Sequence, residues 1–208
     1  MPKRLISRLA VALLGSLTVL SCAPASEPTP DPSMAGATFE CDPDNGGISL
    51  PDEVCAAVFA DDLGTVRHIA VNDNGDVYVA TRAMQRRQDG EVIVDKPGGV
   101  YALRDTDGDG RADQVERISE VTGTGVGIHE GHLYFSSTTE VYRVALQPGE
   151  LLPTGEAELI VGGFPSQGQH ASKPFTFDDA GNVYVTVGGP SNACPQAMRT
   201  PGSPGLDP

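Results

Sequence analysis

A loose repeat of glycine-closed hairpins constrains this chain more than any other feature. Two short apolar runs joined by a turn occur three times. The turn glycines Gly75, Gly131 and Gly181 follow one another at intervals of 56 and 50 residues. Units of roughly 40–50 residues that contain several strands each are typical of β-propellers. The repeat therefore predicts an all-β fold, a β-propeller with about three blades between residues 48 and 208.

Short strands rather than helices are predicted along most of the chain. The sequence has 25 glycines, 17 prolines and no tryptophan, and no helical period after residue 38 lasts more than a turn or two. Apolar runs bounded by turn residues are typical of strands. They are predicted at residues 54–59, 66–71, 76–80, 99–103, 113–118, 132–136, 141–145, 158–161, 175–178 and 182–187. Three blades leave unpaired edges and no closed ring, so the sequence is expected to be C-terminally truncated and inactive by itself.

The first 21 residues predict a signal peptide. Lys3, Arg4 and Arg8 form a positive start, and residues 9–20 are an apolar run too short to span a membrane. The run ends at Cys22 in a pattern that resembles a bacterial lipobox, whose cysteine is lipidated and becomes the new N-terminus. Plain signal-peptide cleavage nearby is the alternative. The protein is expected to be exported and lipid-anchored in the bacterial cell envelope, facing the periplasm or the exterior.

Residues 22–47 are predicted to be a flexible tether with a short N-terminal segment. Between residues 23 and 38 the chain is rich in Pro, Ser, Ala and Thr. Such a composition cannot bury enough apolar surface to fold. We therefore expect this stretch to be disordered and to hold a globular part away from the membrane.

The formal net charge of −14 argues against nucleic acid as a partner. An acidic surface repels phosphate groups. Solubility is the simplest interpretation of the charge. The membrane is expected as a partner only through the lipid anchor.

The cysteines predict one disulfide. An exported protein oxidises its thiols, and Cys41 and Cys55 flank a short, turn-rich loop. A bridge closing a loop of that size stabilises a fold by about 3 kcal/mol in the chain-entropy description. If Cys22 is lipidated, Cys194 is left over. Its partner is expected beyond residue 208, with an intermolecular bridge as the alternative.

Residues 105–116 match a twelve-residue calcium loop. Acidic residues occupy its positions 1, 3, 5, 9 and 12, and glycine occupies position 6, where it permits a sharp turn. The flanking residues are strand-like, so a hairpin between blade strands is expected rather than a pair of helices. A calcium site and an acidic turn without metal are both open. The candidate ligands are Asp105, Asp107, Asp109, Asp113 and Glu116.

Two of the four histidines are candidates for the central channel. His170 opens the third repeat and is the candidate catalytic base, because imidazole accepts a proton near neutral pH. A partly buried structural histidine is the alternative. His68 opens the first repeat and is expected in the same phase, facing the channel. His129 and His132 fall in a hairpin turn and are expected on the surface.

Residues 169–189 resemble the pyrroloquinoline-quinone-dependent glucose/sorbosone dehydrogenases. The similarity lies in the run Gln169-His170-Ala171-Ser172-Lys173 and in the strand–turn–strand that ends in Val187-Gly188-Gly189. Residues 99–110 and 191–194 are similar to the sorbosone dehydrogenase branch of that family. The resemblance covers about residues 48–208.

This resemblance implies a six-bladed propeller that binds pyrroloquinoline quinone and oxidises a sugar or sugar aldehyde. His170 would take the proton of the substrate hydroxyl as hydride passes to the quinone. His68, Gly188 and Gly189 would belong to the cofactor site, where glycines leave room for a flat ring. The family usually has Asp where this chain has Gly189.

A second class of function is also open. A non-catalytic or lactonase-like calcium-binding propeller would share the repeat and the acidic loop. A dehydrogenase needs several Arg or Lys side chains that face the channel from later blades, whereas a lactonase needs a cluster of carboxylates and Asn on the axis. The residues that distinguish these functions are expected beyond residue 208.

Overall fold

The computed structural model describes residues 39–167, 169–189 and 200–204. These residues all belong to one unit, Gly36–Pro208. Within these ranges the regular elements are strands, apart from a 3-10 turn at Asn45–Gly47. They are β1 (Thr65–Val71), β2 (Val77–Arg82), β3 (Met84–Gln88), β4 (Glu91–Lys96), β5 (Gly99–Arg104), β6 (Gln114–Ser119), β7 (Val126–His129), β8 (His132–Ser136), β9 (Val141–Ala145), β10 (Thr154–Val161), β11 (Phe175–Phe177) and β12 (Val183–Val185).

The strands form antiparallel meanders of the kind that make propeller blades. The first sheet has the order β1-β2-β5-β6, and the second has the order β10-β9-β8-β7. A third sheet contains β11 and β12, while β3 and β4 form a separate hairpin inserted between β2 and β5. The predicted all-β propeller class is confirmed. The described residues contain two four-stranded blades and a two-stranded sheet that begins the third repeat.

The repeat read from the turn glycines corresponds to this architecture. Gly75, Gly131 and Gly181 each lie in the turn between the first and second strand of a sheet, with φ of +91°, +71° and +79°. Such positive φ values are readily accessible only to glycine. The recurrence of glycine at these turns is therefore a direct consequence of the blade geometry.

The predicted strand at residues 54–59 is wrong. Its backbone groups are satisfied by loops instead: the amide of Val58 donates to Asp42 at 2.8 Å, and the carbonyl of Phe59 accepts from the amide of Ala112 at 2.8 Å. A buried backbone needs hydrogen-bond partners but not those of a sheet. The β3–β4 hairpin was missed because β3 is a polar run without apolar alternation.

The main core lies between the two four-stranded sheets. It is formed by one face of β2 and β5 against β7, β8, β9 and the loop after β9. The Tyr78 hydroxyl spans this core and donates to the carbonyl of Leu151 at 2.9 Å. Desolvation is the main cause that raises the pKa of Tyr78 to about 12. The buried members are Tyr78, Ala80, Val100, Ala102, Val126, Leu133, Phe135, Val144, Leu146 and Leu151.

The other face of the first sheet is covered by the segment that precedes β1. Leu63 packs on Val79 and Leu103, with Phe59 and Ala60 beside them. The predicted disulfide between Cys41 and Cys55 is confirmed, with Cα atoms 5.9 Å apart. This bridge closes the loop that precedes the covering segment.

Several sequence predictions fall outside the described residues. They concern the signal peptide, the tether at residues 23–38, the lipidated Cys22 and the leftover Cys194. Over the described ranges, no helix combines the length and apolar character needed to cross a membrane.

Candidate active site at the inner strands

The first strands of the three sheets line a shared groove. β7 contacts β1 on one side and β11 on the other. The groove between them has a volume of about 500 Å³. Polar groups and apolar side chains both line it, and Asp178, Asp179 and His129 lie at the end where the turn glycines are found. The apolar lining consists of Ile69, Ala70, Val71, Val126, Ile128, Phe175 and Phe177.

His170 lies at the other end of the inner strands. It belongs to the loop between β10 and β11, five residues before β11 begins, and its side chain is exposed. The expected common phase with His68 is wrong. His170 precedes its turn glycine by eleven residues, whereas His68 precedes Gly75 by seven and therefore lies inside β1, opposite Ala80.

The backbone of His170 adopts a left-handed conformation. Its φ is +50°. A side chain disfavours this region, although His is among the residues that enter it more often. Strained residues of this kind concentrate at functional sites when neighbouring structure holds them in place. The neighbouring structure here is the segment that follows β12, at Gly188 and Gly189.

One hydrogen bond of the His170 ring determines which nitrogen is basic. Nδ1 lies 3.0 Å from the carbonyl oxygen of Gly189. A carbonyl only accepts, so Nδ1 carries the proton, and the neutral ring keeps its lone pair on Nε2. His170 thus presents an exposed ring whose Nε2 can accept a proton from a bound molecule.

Gly188 lets the His170 loop approach the end of β12. A Cβ atom on Gly188 would lie 2.5 Å from the Cβ atom and 2.6 Å from the carbonyl oxygen of His170. The glycines at 188 and 189 were expected to leave space for a flat cofactor. At Gly188 the loop that carries His170 already occupies this space. The absence of a side chain there allows close packing within the protein.

Lys173 holds the same loop in place through its side chain and its backbone carbonyl. The residue is fully buried, and its Nζ donates to the carbonyl of Ala171 at 2.8 Å. The carbonyl of Lys173 accepts from Oγ of Ser136 at 2.8 Å, and this Oγ also accepts from the amide of Gly125. The anchor therefore connects the His170 loop to β8 and to the segment before β7. The sequence offered no signal for it, because a lone lysine in a loop is ordinarily exposed.

The prediction that His129 lies on the surface is wrong. Its ring stacks on Phe177 with centroids 4.5 Å apart and an interplanar angle of 4°. Its Nε2 is buried and has no hydrogen-bond partner among the described residues. Glu130 Oε1 lies 4.0 Å away. The stack joins the second and third sheets, and sequence missed it because Phe177 lies far along the chain.

The turn after β11 is organised by one carboxylate. Asp178 accepts hydrogen bonds from the amides of Ala180 and Asn182, the Asn182 side chain and the Tyr184 hydroxyl. These bonds stabilise the charged form, and the bond from the Asn182 side chain has the largest effect. Together they lower the pKa of Asp178 to about 2. Asp178 is thus an anion at every physiological pH.

The acidic loop is a hairpin loop between β5 and β6, as expected. Carboxylate oxygens of Asp105, Asp107 and Asp109 all lie within 4.8 Å of one another. This loop also satisfies itself in part, since both oxygens of Asp105 accept backbone hydrogen bonds, from the amides of Gly108 and Gly110.

Two predicted ligands are not part of this group. Asp113 accepts from the amide and the hydroxyl of Thr106, both at 2.7 Å. These bonds, with the backbone bond as the largest cause, lower its pKa. Glu116 lies in β6, opposite Ala102. The helical spacing that brings position 12 to the metal is absent here because a strand follows the loop.

No protein-family model matches the chain, and no curated protein matches it in sequence. Among solved structures it is similar to the holo form of the PQQ domain of pyranose dehydrogenase from Coprinopsis cinerea. The TM-score is 0.51 at 16% sequence identity, over 64% of this chain. The chain spans 30% of the length of that domain. At this level of identity the likeness shows that the described sheets share the fold of a PQQ β-propeller domain.

Proposed function

We propose that the protein is a quinoprotein dehydrogenase that oxidises a sugar or sugar aldehyde. The observation that carries the proposal is the ring of His170. It is exposed, it is held by Gly189 through Nδ1, and its Nε2 is left as the basic nitrogen. A histidine fixed in this way is suited to general-base catalysis. Its surroundings support the same role, because the fold is that of a PQQ domain.

Pyrroloquinoline quinone would supply the oxidant, taking the hydride from the substrate carbon. The chain would supply the base and part of the binding surface. His170 Nε2 would accept the hydroxyl proton of the substrate, so that the carbon loses a hydride and the oxygen loses a proton in one oxidation. The exposed glycine Gly189 is the further residue proposed to contact the cofactor. His68 is not proposed again, because it lies inside β1 and does not share the phase of His170.

The described residues that suit this group lie around His170, whose exposed ring has Gly189 beside it. The groove lined by Phe175 and Phe177 does not include His170, so it is not counted as part of the cofactor site. The ring of His170 has one nitrogen occupied within the protein and one free for a ligand. Pyranoses and sorbosone are the sugars to test first, because the similar PQQ domain belongs to a pyranose dehydrogenase and residues 99–110 resemble the sorbosone dehydrogenase branch.

Calcium is proposed as a second bound group, at the β5–β6 loop. Asp105, Asp107 and Asp109 offer hard oxygen ligands within 4.8 Å of one another. Three carboxylates at such separations repel each other, and a divalent cation relieves that repulsion. The loop is outside the inner groove, so we propose a structural rather than a catalytic ion.

We further propose that the protein is exported and held in the cell envelope by a lipid on Cys22. The disulfide between Cys41 and Cys55 supports an oxidising compartment, since such bridges are rare in the cytosol. The membrane would then be a partner through the anchor, and the sugar would be met outside the cytoplasm.

The test compares His170→Ala with His132→Ala as a matched control. His132 lies in the β7–β8 hairpin at the other end of the inner strands, where its Nδ1 contacts the carbonyl of Glu130 at 2.9 Å. Both variants are made in a polypeptide that carries a complete propeller, because the chain spans 30% of the length of the similar PQQ domain. Quinone binding is measured by fluorescence quenching, and oxidation of a panel of aldoses and sugar aldehydes by dye reduction. We expect His170→Ala to bind quinone but to lose turnover by about 10²–10⁴-fold, while the control keeps it.

Wild-type turnover in His170→Ala contradicts the catalytic role. Absence of quinone binding by the wild-type protein favours a non-catalytic or lactonase-like calcium propeller.

A further inference from the structure

We propose that Gln167 is a positioning residue that fixes the ring tautomer of His170. The inference deepens the proposed function and rests on it for the catalytic importance of His170. The hydrogen-bond arrangement itself is independent of any reaction. It can therefore be tested in the protein without quinone or substrate.

The side chain of Gln167 joins the two segments that hold His170. Its Nε2 lies 2.9 Å from the carbonyl oxygen of His170, 2.8 Å from that of Gly188 and 3.1 Å from that of Gly189. The amide has two hydrogens for these three acceptors, so one hydrogen is shared. A single side chain thus clamps the loop before β11 to the segment that follows β12.

The clamp includes the carbonyl that selects the tautomer. Gly189 accepts from both Gln167 Nε2 and His170 Nδ1, at 3.1 and 3.0 Å. The position of this carbonyl decides whether Nδ1 or Nε2 carries the ring proton. Gln167 holds the carbonyl by a direct bond and holds the neighbouring carbonyl of Gly188 by a second one.

The clamp also acts on the strained backbone. His170 has a φ of +50°, and its carbonyl accepts from Gln167. Holding that carbonyl fixes the direction in which the side chain of His170 leaves the loop. One side chain therefore sets both the direction of the ring and the partner of its Nδ1.

The usual partner of a catalytic imidazole is a carboxylate, which both orients the ring and stabilises its charged form. Here the partner is a neutral backbone carbonyl, which orients the ring but brings no charge. Gly189 has no side chain of its own that could hold its carbonyl in place. The hydrogen bonds that Gln167 donates to the carbonyls of His170, Gly188 and Gly189 hold it instead.

The experiment measures the ring tautomer by long-range ¹H–¹⁵N NMR at a pH where the histidines are neutral. Gln167→Leu removes every donor while keeping similar bulk. Gln147→Leu is the matched control, since Gln147 lies in the loop between β9 and β10 and donates at 3.3 Å to the hydroxyl of Thr154. We expect His170 to be the Nδ1–H form in the wild type and in the control. In Gln167→Leu the ratio should shift at least several-fold toward the Nε2–H form.

A second variant covers the case in which Gln167→Leu does not fold. Gln167→Glu keeps the length of the side chain but replaces the donor by a carboxylate that repels the three carbonyls, so the same shift is expected. An Nε2–H form in the wild type overturns the proposal, as does an unchanged tautomer ratio in a folded Gln167 variant.

Kinetics separates this proposal from the proposed function. In a polypeptide that carries a complete propeller, with quinone and sugar supplied, Gln167→Leu should lower kcat by about 10²-fold, the usual scale for misplacement of a catalytic group, with little change in KM. A shifted tautomer together with full turnover in His170→Ala leaves the clamp in place and overturns the role of His170 as the catalytic base. An unshifted tautomer in Gln167→Leu together with lost turnover in His170→Ala supports His170 as the base and overturns the clamp.

Discussion

Asp76 and Arg104 form a two-point ion pair at the edge of the main core. Nε of Arg104 lies 2.6 Å from one carboxylate oxygen of Asp76, and Nη2 lies 2.7 Å from the other. Asp76 is 1% exposed and Arg104 is 27% exposed. The same Nη2 donates to the carbonyl of Gly149 at 3.0 Å. The pair therefore joins the β1–β2 turn of the first sheet to the β9–β10 loop of the second.

Replacing Asp76 by Ala is expected to destabilise the fold by about 3 kcal/mol. The change leaves the guanidinium of Arg104 partly buried without its anion, and breaking a buried pair costs about 3–5 kcal/mol. The lower end applies because Arg104 is partly exposed. The free energy of unfolding by urea measures the effect.

The control for this prediction is Asp95→Ala. Asp95 pairs with Arg86 at 2.9 Å on the exposed β3–β4 hairpin. Such surface pairs contribute about 0–1 kcal/mol. Equal losses in both variants would contradict the structural role of the pair with Arg104.

Replacing Asp178 by Asn is expected to lower stability at neutral pH and to lose this effect in acid. The folded-state pKa of Asp178, about 2, lies below the ordinary value of about 3.9. A lowered pKa means that the charged form stabilises the fold above the ordinary value. This contribution is lost as the pH falls through about 2. Melting temperatures of the wild type and Asp178→Asn should therefore differ most above pH 4 and converge toward pH 2.

Asp179→Asn provides the comparison, because Asp179 is the exposed neighbour in the same turn. Its melting temperature should follow that of the wild type across this range. A constant difference between Asp178→Asn and the wild type from pH 6 to pH 2 would contradict the assignment.

The sequence predicted the features that depend on neighbours along the chain. Gly131 marks a turn because positive φ favours glycine, and the three aspartates of the β5–β6 loop converge because they lie within five residues. Glu116 was assigned to the same group by analogy with a helical calcium loop. A strand follows this loop instead, and a strand carries position 12 along the sheet and away from the turn.

The parts of the site that sequence missed depend on contacts between distant segments. His129 stacks on Phe177 across two sheets, and Lys173 is buried through Ser136 of β8. His170 was recognised from its motif, but its partner at Nδ1 is a backbone carbonyl, which leaves no residue-type signal. Gln167 was missed because the partners of its side-chain amide are backbone carbonyls, which every residue carries.

Calcium is expected to raise the melting temperature of the wild-type protein. A ligand that binds only the folded state stabilises it by about 2.7 kcal/mol at one hundred times its Kd. Asp107→Asn and Asp109→Asn should reduce this shift, because each removes one carboxylate from the group within 4.8 Å. Asp105 is not used, since both of its oxygens hold amides, those of Gly108 and Gly110. Asp107 and Asp109 each accept one backbone hydrogen bond, through Oδ1.

The variant Glu116→Gln distinguishes the carboxylate group seen in the structure from the twelve-residue calcium loop expected from the sequence. Glu116 lies in β6 and outside the carboxylate group, so this variant should keep the full calcium shift. A loss equal to that of Asp107→Asn would instead support a loop closed by position 12. No shift in the wild type would reduce the loop to a turn stabilised by its own backbone hydrogen bonds.

Replacing Gly188 by Ala is expected to displace His170 without unfolding the protein. The new methyl group would start 2.5 Å from the Cβ atom and 2.6 Å from the carbonyl oxygen of His170. Neither is the free end of a flexible side chain, so the loop must move.

Gly162→Ala is the matched control, because its nearest neighbour would be a Glu140 side-chain atom at 3.8 Å, an ordinary contact. We expect changed ring resonances of His170 and a loss of sugar oxidation of about 10²-fold for Gly188→Ala, with a melting temperature close to that of Gly162→Ala. Unchanged His170 resonances in Gly188→Ala would show that the loop before β11 does not rest on the end of β12.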